Sequence, residues 1–186
     1  MIKNYTRTSN IFQNYRCYTV MDLFWIISFP IAFIIHDAEE IFVQHKWMLT
    51  HKEDLIKKFP KAKKIIHHLS SLTTKAFTIA VLEELILLVF ATVYIFAKGP
   101  FSNELWTALF MAFSVHFLVH MAQGIIIRSY TPGLATSILM LPYVYFGINY
   151  ICEGINYDKL ALLSIIGIMI MIINLKFAHR LAKFFL

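Results

Sequence analysis

Long apolar runs separated by short polar segments dominate the chain. Each run has about 20 residues, enough for a helix to cross roughly 30 Å of hydrocarbon. Breaker sequences, Gly99-Pro100 and Tyr130-Thr131-Pro132-Gly133, lie where two of the runs end. The pattern predicts an all-α fold, a polytopic integral membrane helical bundle with about five transmembrane helices. The predicted spans cover residues 21–43, 73–97, 104–127, 133–151 and 159–183.

Two segments lie outside the apolar runs. Residues 1–20 are polar and aromatic, which predicts an N-terminal tail in the membrane interface. Residues 44–72 collect lysines around Pro60, which predicts a basic cytoplasmic loop with an amphipathic part suited to an anionic leaflet. Residues 21–183, with this loop included, are predicted to form a single transmembrane helical domain.

Composition and charge narrow the class of protein. Hydrophobic residues make up 59% of the 186 residues, above the roughly half that is usual in soluble domains. The net charge is +6, but the basic residues cluster between spans, which favours the positive-inside rule over nucleic-acid binding. Of the 17 Lys and Arg residues, 12 fall on the side of residues 44–72 and the C-terminus. That asymmetry predicts a cytoplasmic C-terminus.

Acidic and imidazole side chains interrupt three of the apolar runs. Such groups are unfavourable in hydrocarbon by several kcal/mol and usually mark a functional site. Their spacing is helical: His36 and Glu40 lie four residues apart, as do His116 and His120, so each pair shares a helix face. The sequence therefore predicts a polar site inside the membrane. Its candidate residues are His36, Glu39, Glu40, Glu83, Glu84, His116 and His120.

Imidazole and carboxylate side chains on facing helices are ligands for divalent zinc or iron. We predict His36, Glu39, Glu83, His116 and His120 as metal ligands, with Glu40 and Glu84 as catalytic carboxylates. Glu40 would be a general base or a further ligand. Neighbours on a helix point about 100° apart, so Glu83 and Glu84 are not expected to reach the same ion. Interhelical hydrogen bonding is the structural alternative for the histidines.

Three further polar residues are candidates for substrate binding or for support of the ligands. Gln123 lies near the end of the third span, and Arg128 and Asn174 lie beside the same predicted layer. Arg128 could hold a phosphate or carboxylate of a lipid-like substrate, and Asn174 could orient a ligand. The two cysteines, Cys17 and Cys152, fit no paired motif and predict neither a disulfide framework nor a thiolate metal site.

The chain resembles the HXXEE family, small multi-span bacterial membrane proteins named for the motif that stands here as His36-x-x-Glu39-Glu40. The pair His116-x-x-x-His120 and the turn Tyr130-Thr131-Pro132-Gly133 are similar to other recurrent features of that family. The likeness covers about residues 24–150. It implies a multi-pass protein of the bacterial plasma membrane and supplies no reaction, because the family's activity is unassigned.

Three classes of function are compatible with these residues. The first is a metal-dependent membrane enzyme that hydrolyses a lipid-like or membrane substrate or, with iron, activates oxygen. The second is a small ion- or proton-coupled carrier, since Glu and His relays also mark transport pathways. The third is a non-catalytic accessory protein of the membrane. The expected partners are the lipid bilayer and a lipid-like substrate, with no nucleic acid.

Overall fold

The computed structural model describes residues 20–185, and the regular structure in that range is helical, without strands. Seven α-helices follow one another: α1 Val20–Lys58, α2 Lys63–Ser71, α3 Thr74–Phe96, α4 Ser102–Ile127, α5 Leu134–Leu139, α6 Leu141–Cys152 and α7 Tyr157–Ala182. Short 3₁₀ turns cover Pro60–Ala62 and Lys183–Phe185. The all-α prediction is confirmed for this range. The predicted interfacial tail at 1–20 lies outside it, apart from Val20 at the start of α1.

Three helices are long and apolar enough to cross a membrane: Thr74–Phe96, Ser102–Ile127 and the continuous stretch Tyr157–Phe185. They correspond to the second, third and fifth predicted spans. Many of their large apolar side chains are exposed, such as Phe90 on α3 and Ile173 on α7. This exposure suits contact with lipid. The described residues therefore give a helical bundle with three such spans, and the expected number of about five is not confirmed.

The first helix is longer than the sequence pattern predicted. It has 39 residues and continues without interruption through Pro30, which corresponds to a length of about 58 Å. The segment expected to begin a loop at residue 44 extends the helix as far as Lys58. Its sequence contains no glycine or proline before Pro60, so nothing in it stops the helix. Most of the predicted basic loop is consequently helical.

The fourth predicted span is broken into two short helices. A break at Met140 separates α5, of 6 residues, from α6, of 12 residues, and Pro142 lies in the first turn of α6. Proline has no N–H to donate to the preceding turn and is tolerated best at such a helix start. Pro142 therefore marks the start of a new helix. It leaves α5 as a separate short element beside α1 and α4.

An aromatic core fixes the position of α1 against α4. Trp25 and Phe29 of α1 contact Phe110 of α4, and Phe29 also contacts Phe113. On its other side α4 lies close to α7, where a Cβ on Gly167 would come within 1.9 Å of the Ala108 carbonyl oxygen. Small residues allow helix backbones to approach in this way. These contacts place the histidines of α4 directly beside the His36 turn of α1.

The C-terminal end of α4 is held by the long first helix. The Lys58 ammonium donates to the carbonyl oxygens of Ile126, at 2.8 Å, and Ile127, at 3.2 Å. These carbonyls belong to the last helical turn, which lacks intrahelical donors. Arg128 then takes a left-handed conformation with φ of 61° and ends the helix. The chain turns from there into α5, which brings residues 130–136 over the histidines.

Candidate metal centre

Four side chains from α1 and α4 converge at one point. One ligand atom from each of His36, Glu40, His116 and His120 lies within 4.8 Å of those of the other three. His36 is completely buried, Glu40 and His120 are also buried, and His116 is partly buried. The separations suit ligands around one ion, since zinc–nitrogen bonds of about 2.0–2.1 Å put two ligand atoms roughly 3–4 Å apart. The described part of the chain thus contains a His/Glu group able to hold a metal ion.

The hydrogen bonds around His36 assign its tautomer. The Thr136 hydroxyl lies 2.6 Å from Glu39 Oε2 and 2.8 Å from His36 Nδ1. A carboxylate only accepts, so the single hydroxyl proton goes to Glu39 and the hydroxyl oxygen must accept from His36 Nδ1–H. His36 Nε2 then carries a lone pair, and this buried atom has no hydrogen-bond partner within residues 20–185. An unpartnered, buried acceptor is unusual unless a ligand completes it.

The tautomer of His120 is assigned in the same way. Its Nδ1 lies 2.8 Å from the Pro132 carbonyl oxygen. A carbonyl only accepts, so Nδ1 carries the proton and Nε2 carries a lone pair. A metal-binding histidine usually donates its other ring N–H to a backbone carbonyl or a similar acceptor. His36 and His120 therefore both present unprotonated Nε2 atoms to the same space.

The other two members of the group, His116 and Glu40, both lie close to His120 Nε2. His116 Nε2 lies 2.9 Å from His120 Nε2, and Glu40 Oε1 lies 3.3 Å from His120 Nε2. The His36 ring centroid is 5.1 Å from that of His116 and 5.0 Å from that of His120. Phe113 and Phe117 pack against the His36 ring and shield it from water. Three imidazoles and one carboxylate in a dry site suit zinc or iron.

The Glu39 carboxylate lies outside this group. It accepts hydrogen bonds from the Tyr130 hydroxyl at 2.5 Å and the Thr136 backbone N–H at 2.7 Å, besides those from the Thr136 hydroxyl and the Ala135 N–H. Burial, together with the bond to Glu39, raises the pKa of Tyr130 above its ordinary value, so the phenol stays protonated and donates. Glu39 thereby fastens the start of α5 to α1. Through the Thr136 hydroxyl, Glu39 is also linked to His36, and its predicted role as a metal ligand stays a prediction.

The two carboxylates of α3 point in different directions. Glu83 accepts from the Asn174 amide of α7 at 3.3 Å and is not part of the His/Glu group. Glu84 is partly buried on the same helix turn and is likewise outside the His/Glu group. Helical geometry separates the two neighbours by about 100°.

The predicted supporting residues of α4 do not reach the centre. Gln123 and Arg128 are both exposed, outside the His/Glu group. Arg128 ends α4 with its left-handed backbone. Asn174 contacts Glu83 and none of the four grouped residues. Any part that these three residues play in substrate binding is left as a prediction.

Two residues that shape the centre were not among the predicted site residues. Pro132 and Thr136 fix the tautomers of His120 and His36, and both lie in a turn and short helix distant from them in sequence. Only the compact turn signal at 130–133 pointed to this region.

A match to one known family covers the residues of this site. A family model described as "Protein of unknown function with HXXEE motif" matches residues 27–147. The matched range contains all four grouped residues, the turn that follows α4 and the whole of α5. No curated protein and no solved structure matched the chain.

Proposed function

Because the chain belongs to the HXXEE family, whose shared motif supplies two of the four grouped side chains, we propose that it is a membrane metalloprotein. His36, His116 and His120 hold one divalent ion, zinc or iron, and Glu40 is the fourth ligand. The unpartnered lone pair of His36 Nε2 carries the proposal. Interhelical hydrogen bonding alone would not leave this atom without a partner.

We further propose that the reaction is hydrolysis of a lipid-like or membrane substrate. A bound ion would lower the pKa of a coordinated water toward neutrality. Four protein ligands leave room for water when the ion is five-coordinate, or when Glu40 moves off and acts as general base. Glu84 of α3 is the second candidate proton acceptor. The apolar surroundings favour a substrate that arrives from the bilayer, proposed to be the bacterial plasma membrane with the C-terminus cytoplasmic.

Hydrolysis can be detected without knowing the substrate, because an oxygen atom of water enters the product. Membranes containing the wild-type protein, incubated in water labelled with the heavy oxygen isotope, are expected to yield lipid products that carry the label. Membranes containing His120→Ala should lack these products, because that substitution removes a ligand nitrogen. Mass spectrometry of lipid extracts compares the two samples. Equal labelling in both would contradict the hydrolase proposal.

One contact favours a second candidate function, an ion- or proton-coupled carrier. The Glu83–Asn174 pair extends the polar residues from α3 to α7, away from the His/Glu group. A polar line across helices is typical of ion pathways. Counterflow of Zn²⁺ in liposomes containing the protein, together with unlabelled lipid extracts, would favour the carrier over the enzyme.

A further inference from the structure

The Glu39 carboxylate accepts four hydrogen bonds from the segment that follows α4. Its Oε1 accepts from the Tyr130 hydroxyl at 2.5 Å and from the Ala135 N–H at 3.3 Å. Its Oε2 accepts from the N–H of Thr136 at 2.7 Å and from the Thr136 hydroxyl at 2.6 Å. A protonated carboxyl would have to donate a hydrogen bond from one of these oxygens. Four donors around two oxygens therefore indicate that Glu39 is ionised.

The Thr136 hydroxyl connects this carboxylate to His36. Its single proton has two acceptors within reach, Glu39 Oε2 at 2.6 Å and the Gly133 carbonyl oxygen at 3.4 Å. The short bond to the carboxylate is favoured because it is charge-assisted. The hydroxyl oxygen, 2.8 Å from His36 Nδ1, can then only accept from this nitrogen. The two bonds in series thus keep the ring proton of His36 on Nδ1.

We propose that Thr136 is a positioning residue of the centre, which holds His36 in the tautomer whose Nε2 can bind an ion. Glu39 is the acceptor that orients the Thr136 hydroxyl. The inference rests on the proposed function, because only a bound ion makes use of the Nε2 lone pair. It also gives the two adjacent glutamates of the motif different tasks: Glu39 fixes the tautomer, and Glu40, 3.3 Å from His120 Nε2, faces the ion.

The second ring nitrogen of His36 does not oppose this selection. His36 Nε2 is buried and has no hydrogen-bond partner among residues 20–185, so within that range only the bond at Nδ1 selects between the tautomers. In the opposite tautomer a proton on Nε2 would occupy the position of the ion. A hydrogen bond to the other nitrogen of a metal-binding histidine fixes its tautomer and raises its basicity, and its loss lowers metal affinity by about 10–100-fold.

Nitrogen-15 NMR of the metal-free, full-length protein in detergent tests the tautomer, because protonated and unprotonated ring nitrogens resonate at different positions. His36 is identified among the eight histidines as the signal missing from His36→Ala. In wild type we expect its proton on Nδ1. Thr136→Val keeps the branched shape but removes the hydroxyl, so the tautomer protonated at Nε2 should appear. Thr136→Ser restores a hydroxyl and should restore the wild-type spectrum.

Zinc affinity, measured against a chromophoric chelator, tests the consequence for the centre. Thr136→Val should bind Zn²⁺ about 10–100-fold more weakly than wild type, and Thr136→Ser should bind it as wild type does. Thr131→Val is the matched control in the same segment. The Thr131 hydroxyl is buried, with no hydrogen-bond partner in the described part of the chain, so its removal should leave both the spectrum and the affinity unchanged. Circular dichroism verifies that each variant is folded.

The outcomes distinguish this inference from the proposed function. Wild type that binds zinc, together with a Thr136→Val variant of equal affinity, would overturn the role of Thr136 and leave the metal centre intact. The same holds for a wild-type His36 that is protonated on Nε2. Wild type that binds no zinc would overturn the metal centre and, with it, the task given to Thr136. A loss of affinity in Thr136→Ser or Thr131→Val as large as in Thr136→Val would show a packing effect and contradict the inference.

Discussion

We expect alanine in place of His36 to weaken Zn²⁺ binding at the His/Glu group by at least about 100-fold, because loss of an outer-shell partner alone lowers metal affinity by about 10–100-fold. The reason is that His36 Nε2 is buried and has no hydrogen-bond partner in the part of the chain that the structure describes. Titration of the purified protein against a chromophoric chelator measures the affinity. Zn²⁺ should also raise the melting temperature of wild type, since an ion that binds only the folded state stabilises it. The variant should lose most of that increase.

His45→Ala is the matched control for this substitution. His45 lies on the same helix, but its Nδ1 is 2.7 Å from the Leu72 carbonyl oxygen and it is outside the His/Glu group. Its removal should leave the zinc affinity of the His/Glu group unchanged. Equal zinc affinity in His36→Ala and wild type, with both proteins folded by circular dichroism, would contradict the role given to His36.

Gly133→Ala disrupts the centre from the opposite side without changing a ligand. Gly133 has φ of +79°, and a Cβ there would lie 2.7 Å from His120 Nδ1 and 3.1 Å from Glu40 Oε1. The left-handed conformation costs an alanine about 1–2 kcal/mol, and overpacking of a tight site typically costs a further 1–3 kcal/mol. The added methyl also displaces the His120 ring from the Pro132 carbonyl. We expect zinc affinity to fall by at least about 10-fold.

Gly154→Ala is the control for Gly133→Ala, because it tests whether any glycine-to-alanine change lowers zinc affinity or stability. A Cβ on Gly154 would meet only the Ile151 carbonyl oxygen, at 3.9 Å, so Gly154→Ala adds no clash. Thermal unfolding and chelator competition on both variants should show loss only for Gly133→Ala. Wild-type zinc affinity in Gly133→Ala would mean that the turn at 130–133 does not press on the centre.

Sequence periodicity predicted helices well where the apolar runs are uninterrupted. The runs at 73–97, 104–127 and 159–183 match α3, α4 and α7 to within a few residues. It did not predict how far the first helix extends beyond residue 43. The lysines of residues 44–58 lie on an extension of α1, because helix propensity depends on the absence of glycine and proline more than on hydrophobicity.

Residue spacing predicted the pairs of the candidate centre that lie on a single helix. The four-residue separation placed His116 beside His120, and a shared face placed Glu40 beside His36. Spacing could not distinguish Glu39 from Glu40, because both lie about one turn from His36. That choice depends on the turn and α5, whose N–H and hydroxyl groups occupy Glu39 and leave Glu40 for the histidines. Such long-range contacts are not encoded in helical periodicity.

X-ray absorption at the metal edge of the purified wild-type protein shows whether the three histidines bind a metal ion. We expect a bound zinc or iron ion with nitrogen and oxygen neighbours at about 2.0–2.2 Å and with the multiple scattering of imidazole rings. The imidazole signal should weaken in His36→Ala. A wild-type protein that carries no such ion, or an ion without imidazole scattering, would contradict the claim that His36, His116 and His120 form a metal centre.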